Sequence, residues 1–364
     1  ITLFSTGSVG LLYGGRYDFE FLIAFFILFH GSRFLSESAA SYVRLFLISG
    51  GIMLVFSLLV RFVFSPDILL YFWFSWNPSN WQFGVTPPIF HGVDGANVQR
   101  FQGLLDGPNS MGAFLIVYSG MLAYYTRQKR DWHFIVGGFL LLFLGLVFLT
   151  YGRAALIGWV WWALIVFFSA FRFLYQKHKR ELLIVGGIAL FMFGFFSLQY
   201  RDKAEALLAR EGSSKGHLSR MIIGLERFAD APLGQWLWSS WPWYRYVLAH
   251  EWANEEAIRY LEPQYIPESW YIQQLVEWGI FGFLFFVLLF LLLAYCLLSE
   301  SVILFAILFG IGVMNLVLHT FEVTYISLAL FSLFAVILWK KRERYPNAGI
   351  CNLPTASQKP YLKS

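Results

Sequence analysis

The sequence predicts an all-α membrane protein: a polytopic bundle of about nine transmembrane helices with one large extracytoplasmic loop that contains short helices. Three observations predict it. Only 13% of the residues are charged, against about 25% in soluble domains. Apolar runs near the ~20 residues needed to cross a bilayer recur along the chain. The basic residues fall in short clusters on alternate connections, as cytoplasmic loops do under the positive-inside rule. The net charge of +5 is therefore no nucleic-acid signal, and membrane lipids are the expected surroundings.

Residues 1–16 read as a glycine-containing loop before a first span over 17–34. The chain starts at Ile1, almost directly on apolar runs, and reads as a fragment that has lost N-terminal spans. A second span covers 45–64 and is stopped by Pro66. An outer loop at 65–109 follows, with Trp73, Trp76 and Trp81. The third span covers 110–125, and Arg127-Gln128-Lys129-Arg130 marks the cytoplasmic side after it. Spans four and five, 134–149 and 154–171, are joined by the tight turn Thr150-Tyr151-Gly152-Arg153. Lys177, Lys179 and Arg180 return the chain to the cytoplasm before a sixth span at 182–198.

Residues 1–198 thus form an N-terminal membrane part, and 199–270 a large extracytoplasmic loop. Residues 271–345 form a C-terminal membrane part with spans at 271–298, 302–318 and 323–339, closed by Lys340-Lys341-Arg342. The polar tail at 346–364 reads as cytoplasmic and disordered. Cys296 lies in an apolar run and Cys351 in the tail. At different depths, they imply no disulfide framework.

Within the large loop, residues 217–229 fit a helix capped by Ser213 or Ser214 and stopped before Pro232 and Gly234. Leu218, Met221, Ile222, Leu225 and Phe228 share one face. His217, Arg220, Gly224 and Arg227 form a basic stripe beside it. Arginine presents a planar fork to phosphate oxygens, and histidine exchanges a proton near neutral pH. The stripe suits a lipid-linked anion, and it equally suits an interfacial helix that meets lipid phosphates.

Arg153 sits in a short turn at the membrane edge, where a cation needs an anion or water, or snorkels to headgroups. Arg100 and Asn109 flank Gly103, Gly107 and Pro108 at the entry to span three. Glu268 follows Pro267 in the first turn of the seventh span, where the helix dipole favours a carboxylate. There it could also accept from, or deprotonate, a sugar hydroxyl. Glu277, Gly279 and Gly282 read as packing positions. Trp236, Trp238, Trp241, Trp243 and Trp252 suit either an interfacial belt or stacking on sugar faces. His319 and Glu322 occupy the outer turn between the last two spans. No zinc spacing, phosphate loop, nucleotide fold or nucleophile elbow is present, so no metal or cofactor is expected.

Four stretches, taken in order, resemble the O-antigen ligase and O-antigen polymerase family of bacterial membrane proteins. They are Arg100-Phe-Gln-Gly103 with Gly107-Pro108-Asn109 and Gly112; Gly152-Arg153-Ala154; Gly216-His217 and Arg220 with Pro232-Leu233-Gly234; and Glu268-Ser269, Gln274-Leu275, Glu277-Trp278-Gly279 and Gly282. The likeness covers residues 90–340. It implies a metal-independent glycosyltransferase of the bacterial inner membrane, with its site on the periplasmic side and a glycan on undecaprenyl pyrophosphate as donor. Flippase and chain-length regulator proteins would be its accessory partners.

By that resemblance Arg153, Arg220 and Arg100 bind the pyrophosphate, and Arg220 stabilises the leaving group. His217 orients a substrate or acts as base, and Glu268 binds or deprotonates the acceptor hydroxyl. The ligases usually place a histidine where this chain has Glu268-Ser269, which favours a polymerase. A ligase acting on lipid A-core or protein is the alternative within the class. A transporter or lipid flippase is the alternative outside it, disfavoured because the charges gather at one boundary rather than in mid-span.

Overall fold

The computed structural model describes residues 20–76, 87–89, 99–127, 142–177, 211–234 and 268–344. Apart from an isolated β-bridge between Ser75 and Pro88, the regular structure among them is helical. Helix α1 covers 20–31, α2 Ala39–Phe62, α3 Pro108–Thr126, α4 142–149, α5 Arg153–Lys177 and α6 Glu211–Asp230. Then come α7 Trp270–Glu300, α8 Val302–Met314 and α9 Thr324–Arg344.

The sixth expected span, the tail, and the tryptophans between 236 and 252 lie outside the described residues. Cys296 corrects one expectation, because it is disulfide-bonded. The other cysteine, Cys351, lies outside the described residues.

Among the described residues, three helices are long and apolar enough to cross a membrane: Ala39–Phe62, Trp270–Glu300 and Thr324–Arg344. In α2 the buried positions are Val43, Leu47, Gly50, Leu54, Ser57 and Val60. The outward stripe is apolar too, with Leu45, Ile48, Ile52, Val55, Leu59 and Phe62 all exposed. A helix that is apolar on its buried and exposed faces alike is stable in lipid rather than water. The second half of α7 exposes Leu284, Leu288, Leu291 and Leu298 in the same way. This is the outer surface of a membrane protein.

The centre of the bundle is α3, α5 and α8, drawn together by small residues. A Cβ on Gly112 would stand 2.2 Å from Ala155 Cβ, and one on Gly158 2.6 Å from Gly310 O. Gly120 meets Ile307. Backbones approach this closely only where side chains are absent or small, the usual packing device in membranes. The register also fixes direction: α3 and α5 run parallel, and α8 runs against both.

The bundle therefore has two ends. At one, Glu300 takes Arg127 Nη2 at 3.0 Å and Tyr124 Oη at 3.1 Å. Lys340 Nζ donates to Leu35 O at 2.8 Å, and Lys341 Nζ to Ser299. We call this the basic end. The other end carries the starts of α3, α5, α7 and α9.

Helix α7 departs from the single span expected at 271–298. Gly279 has φ 65° and ψ −171° and breaks it. The Trp270 ring centroid lies 5.6 Å from those of both Phe286 and Phe290, although in a straight helix Trp270 and Phe290 would stand ~30 Å apart. The chain therefore folds back on itself. A short arm, α7a (270–278), returns beside a long arm, α7b (280–300). Trp270 joins an aromatic core with Phe321 at 5.1 Å, where Phe290 and Phe321 also stack at 4.8 Å.

The arms set the depth of the open end. From Ser301, α8 climbs only 13 residues, ~20 Å, whereas α7b climbs ~31 Å. The floor formed by the start of α5 and the end of α8 thus lies below the tip at Gly279.

Candidate functional site

The four sequence stretches fold into two pairs. In the first, Phe101 N donates to Leu149 O at 2.9 Å, and Arg100 Nε to Thr150 O at 3.0 Å. The entry loop is thereby laced to the turn before α5. Tyr151 takes φ 51° there, a left-handed conformation rare for a bulky side chain. Thr150 steadies the turn by accepting from Gly152 N at 3.1 Å through Oγ1. A Cβ on Gly152 would lie 3.2 Å from Asn109 Oδ1. The turn delivers half-buried Arg153 to the first position of α5. A cation at a helix N-terminus opposes the dipole, so Arg153 and the free N–H groups beside it together favour an anion.

In the second pair, α6 lies along α7a. Arg220 Nη1 donates to Glu268 Oε1. His217 Nδ1 stands 3.0 Å from Oε2, a contact that helps to hold the carboxyl ionised. At the other end of α6, Ile280 N donates to Pro232 O at 3.0 Å. Gly234 (φ 98°) and Gly279 interlock there, for a Cβ on Gly279 would lie 2.3 Å from Leu233 C. Since Arg220 matches Glu268 and Pro232 matches Ile280, α6 and α7a run parallel and in register.

The helix expected over 217–229 begins earlier, at Glu211, so Ser213 and Ser214 lie inside it rather than capping it. Its orientation is also informative. The basic stripe faces inward, with His217 and Arg220 half-buried and Gly224 buried. Leu218, Ile222 and Leu225 are exposed, as is Phe281 beside the tip of α7.

Burial of Glu268 would raise its pKa, but His217, Arg220 and His319 outweigh this and hold the carboxyl below its ordinary value. His319, in the turn after α8, is therefore electrostatically part of the cluster. Glu322 starts no comparable account, since its side chain lies outside the description. A carboxylate held ionised in this way is a poor proton acceptor. Its 3.0 Å contact positions His217, whose imidazole is the alternative proton acceptor when neutral.

Sequence reading missed Asn315. It is fully buried; its carbonyl accepts from Trp270 N at 3.1 Å and its Oδ1 from Phe321 N at 3.2 Å. It thus pins the residues just after Glu268 to the end of α8. A lone asparagine in the run Met314-Asn315-Leu316 was the available signal. Asp106, which accepts from Tyr325 Oη, was also missed and ties the start of α3 to α9.

All five predicted site residues, Arg100, Arg153, His217, Arg220 and Glu268, stand at the end opposite the basic one. His217, Arg220 and Glu268 are in direct contact. Among the described residues no cluster of His, Cys, Asp and Glu could hold a metal. Comparisons with protein-family models, curated proteins and solved structures find no match.

Proposed function

We propose that the protein is a polysaccharide polymerase that transfers a glycan from lipid pyrophosphate to the acceptor sugar of another lipid-linked repeat. The observation that carries this is the ionic cluster of Glu268 with Arg220 and His217, at the same end of an apolar bundle as Arg153 and Arg100. In the reaction, an acceptor hydroxyl forms a bond to the anomeric carbon as the bond to the pyrophosphate oxygen breaks. Arg153 and Arg220 hold the leaving pyrophosphate and offset its developing charge. Arg100 steadies the Arg153 turn through its bond to Thr150 O and adds its charge to the same anion site. His217, oriented by Glu268, takes the hydroxyl proton. The basic end then faces the cytoplasm and the cluster faces outward.

A second reading has an observation of its own. The break at Gly279 and the buried Glu277 resemble the discontinuous helices of transporters. Among the described residues there is one such break rather than a matched pair, which leaves glycan transfer ahead.

The test is surface glycan in a host lacking the gene, complemented with Arg153→Ala, Arg220→Ala or Glu268→Ala and checked for membrane expression. We expect single repeats on lipid A-core without a ladder. Loss of all attached glycan, with lipid-linked polymer accumulating, would indicate a ligase. An unchanged ladder with normal expression would reject glycan transfer and favour the transporter.

A further inference from the structure

The short arm α7a carries a stripe that packing alone does not explain. Gln273 and Gln274 are 0% exposed and Glu277 2%. Gln273 Nε2 donates to Glu277 Oε1 at 3.3 Å. Gln273 Oε1, both amide atoms of Gln274 and the indole Nε1 of Trp270 have no hydrogen-bond partner among the described residues. Gln274 lies one turn from Trp270 and one from Trp278, and both of those rings rest on Phe286.

Buried amides in native proteins are nearly always paired, and an apolar side chain of similar shape would fill this stripe at lower cost. Such departures from the stable choice concentrate at functional sites. The chemistry of the stripe is selective. Indole faces suit the C–H side of a sugar ring. Amides donate and accept at once, as sugar hydroxyls do, and a carboxylate adds a further acceptor. No comparable demand comes from lipid chains or a phosphate.

The arm also has a joint. Gly279 is its one non-helical residue, and α6 is pinned both at the joint, through Pro232, and at the far end, through Arg220. A turn of arm and α6 together keeps the Glu268 cluster, and it exchanges the bonds of Trp270 N to Asn315 O (3.1 Å) and Tyr271 Oη to Gly312 O (3.0 Å), which hold the start of the arm to α8, for contacts to a ligand.

We propose that α7a is a glycan-binding arm, which turns about Gly279 to present Gln273 and Gln274 to the hydroxyls of the acceptor sugar beside Glu268. The proposal rests on the glycan-transfer reading and extends it to a substrate subsite. Without a ligand, Gln273 Oε1 and both amide atoms of Gln274 have no partner among the described residues, and hydroxyls of the acceptor sugar would supply them.

The test is Gln274→Met, which keeps length and removes the amide, with Gln273→Met as the second variant. Two readouts are paired: melting of the purified full chain in detergent, and surface glycan in the deletion host beside Arg220→Ala. We expect Gln274→Met to melt at or above the parent temperature and to make roughly tenfold less polymer or worse, the scale of one lost sugar hydrogen bond. Gln273→Met should move both readouts the same way. A lower melting temperature or failure to accumulate would mean that the amide is already satisfied in the empty protein, and would overturn the proposal. So would normal polymer from Gln274→Met while Arg220→Ala abolishes it. Normal polymer from Arg220→Ala as well would instead reject the glycan-transfer reading itself.

Discussion

Glu268 shows how a single carboxylate organises the open end. Its side chain is 17% exposed, while His217 and Arg220 are each 34% exposed, so solvent screens part of the attraction. Because folding lowers its pKa, Glu268 stabilises the protein above the ordinary value of 4.5. That stabilisation is lost as the pH falls through the lower folded value. We expect Glu268→Gln to cost about 1–2 kcal/mol near neutral pH, a screened version of breaking a buried pair. The variant's melting temperature should also fall less steeply than the parent's below pH 4.5. Thermal melting of both proteins across that range checks this, and parallel acid limbs would show that Glu268 is not the responsible group. The sequence singled out Glu268 as a polar residue beside a proline but placed it in the first turn of the seventh span, whereas it precedes the Ser269 cap of α7. Asn315 was not singled out, because a single polar residue in an apolar run looks like tolerance until its partners are known.

At the scale of elements, α3 begins and ends within two residues of the span read from hydropathy, since Pro108 punctuates it locally, whereas α2 ends two residues before its expected end but begins six residues earlier than expected, at the Ser38 cap. Helix α7 defeated the same reasoning. Its apolar period continues through Gly279, and the reversal is set by tertiary contact with Pro232, Leu233 and Gly234, which periodicity does not encode. The inward turn of α6 was illegible for a related reason: the sequence shows two faces but not which of them meets lipid. The joint can be tested with two glycines. Gly279→Ala adds a Cβ against the Leu233 backbone at a positive φ, a combination that costs about 2–4 kcal/mol. Gly216 has nothing within 4 Å of an added Cβ and lies inside α6, so Gly216→Ala should gain roughly 0.5–1 kcal/mol. Melting in detergent should separate the two variants in opposite directions. Equal effects would mean that the hairpin tip is not a tight joint.

For the whole molecule, the decisive property is its polarity from end to end. Lys340, Lys341, Arg127 and Arg33 gather at one end, while the Glu268 cluster, Arg153 and Arg100 gather at the other, with apolar stripes on α2 and α7b between them. Basic residues resist translocation, so the basic end belongs in the cytoplasm if the chain inserts as its charges direct. Glycan transfer at the outer face requires that same orientation, which makes topology a test of function as well as of fold. Single cysteines at Ser38 and Gly216, in a chain with Cys296 and Cys351 replaced, should respond differently to a membrane-impermeant maleimide added to intact cells. Gly216→Cys should label and Ser38→Cys should label only after lysis, whereas Leu291→Cys, on the exposed apolar face of α7b, should stay unlabelled in both. Labelling of Ser38→Cys from outside would invert the molecule and place the arginines where lipid-linked repeats are built rather than joined. Labelling of both polar sites from one side would mean that the bundle does not separate its ends across a membrane, and that the apolar stripes cover something other than lipid.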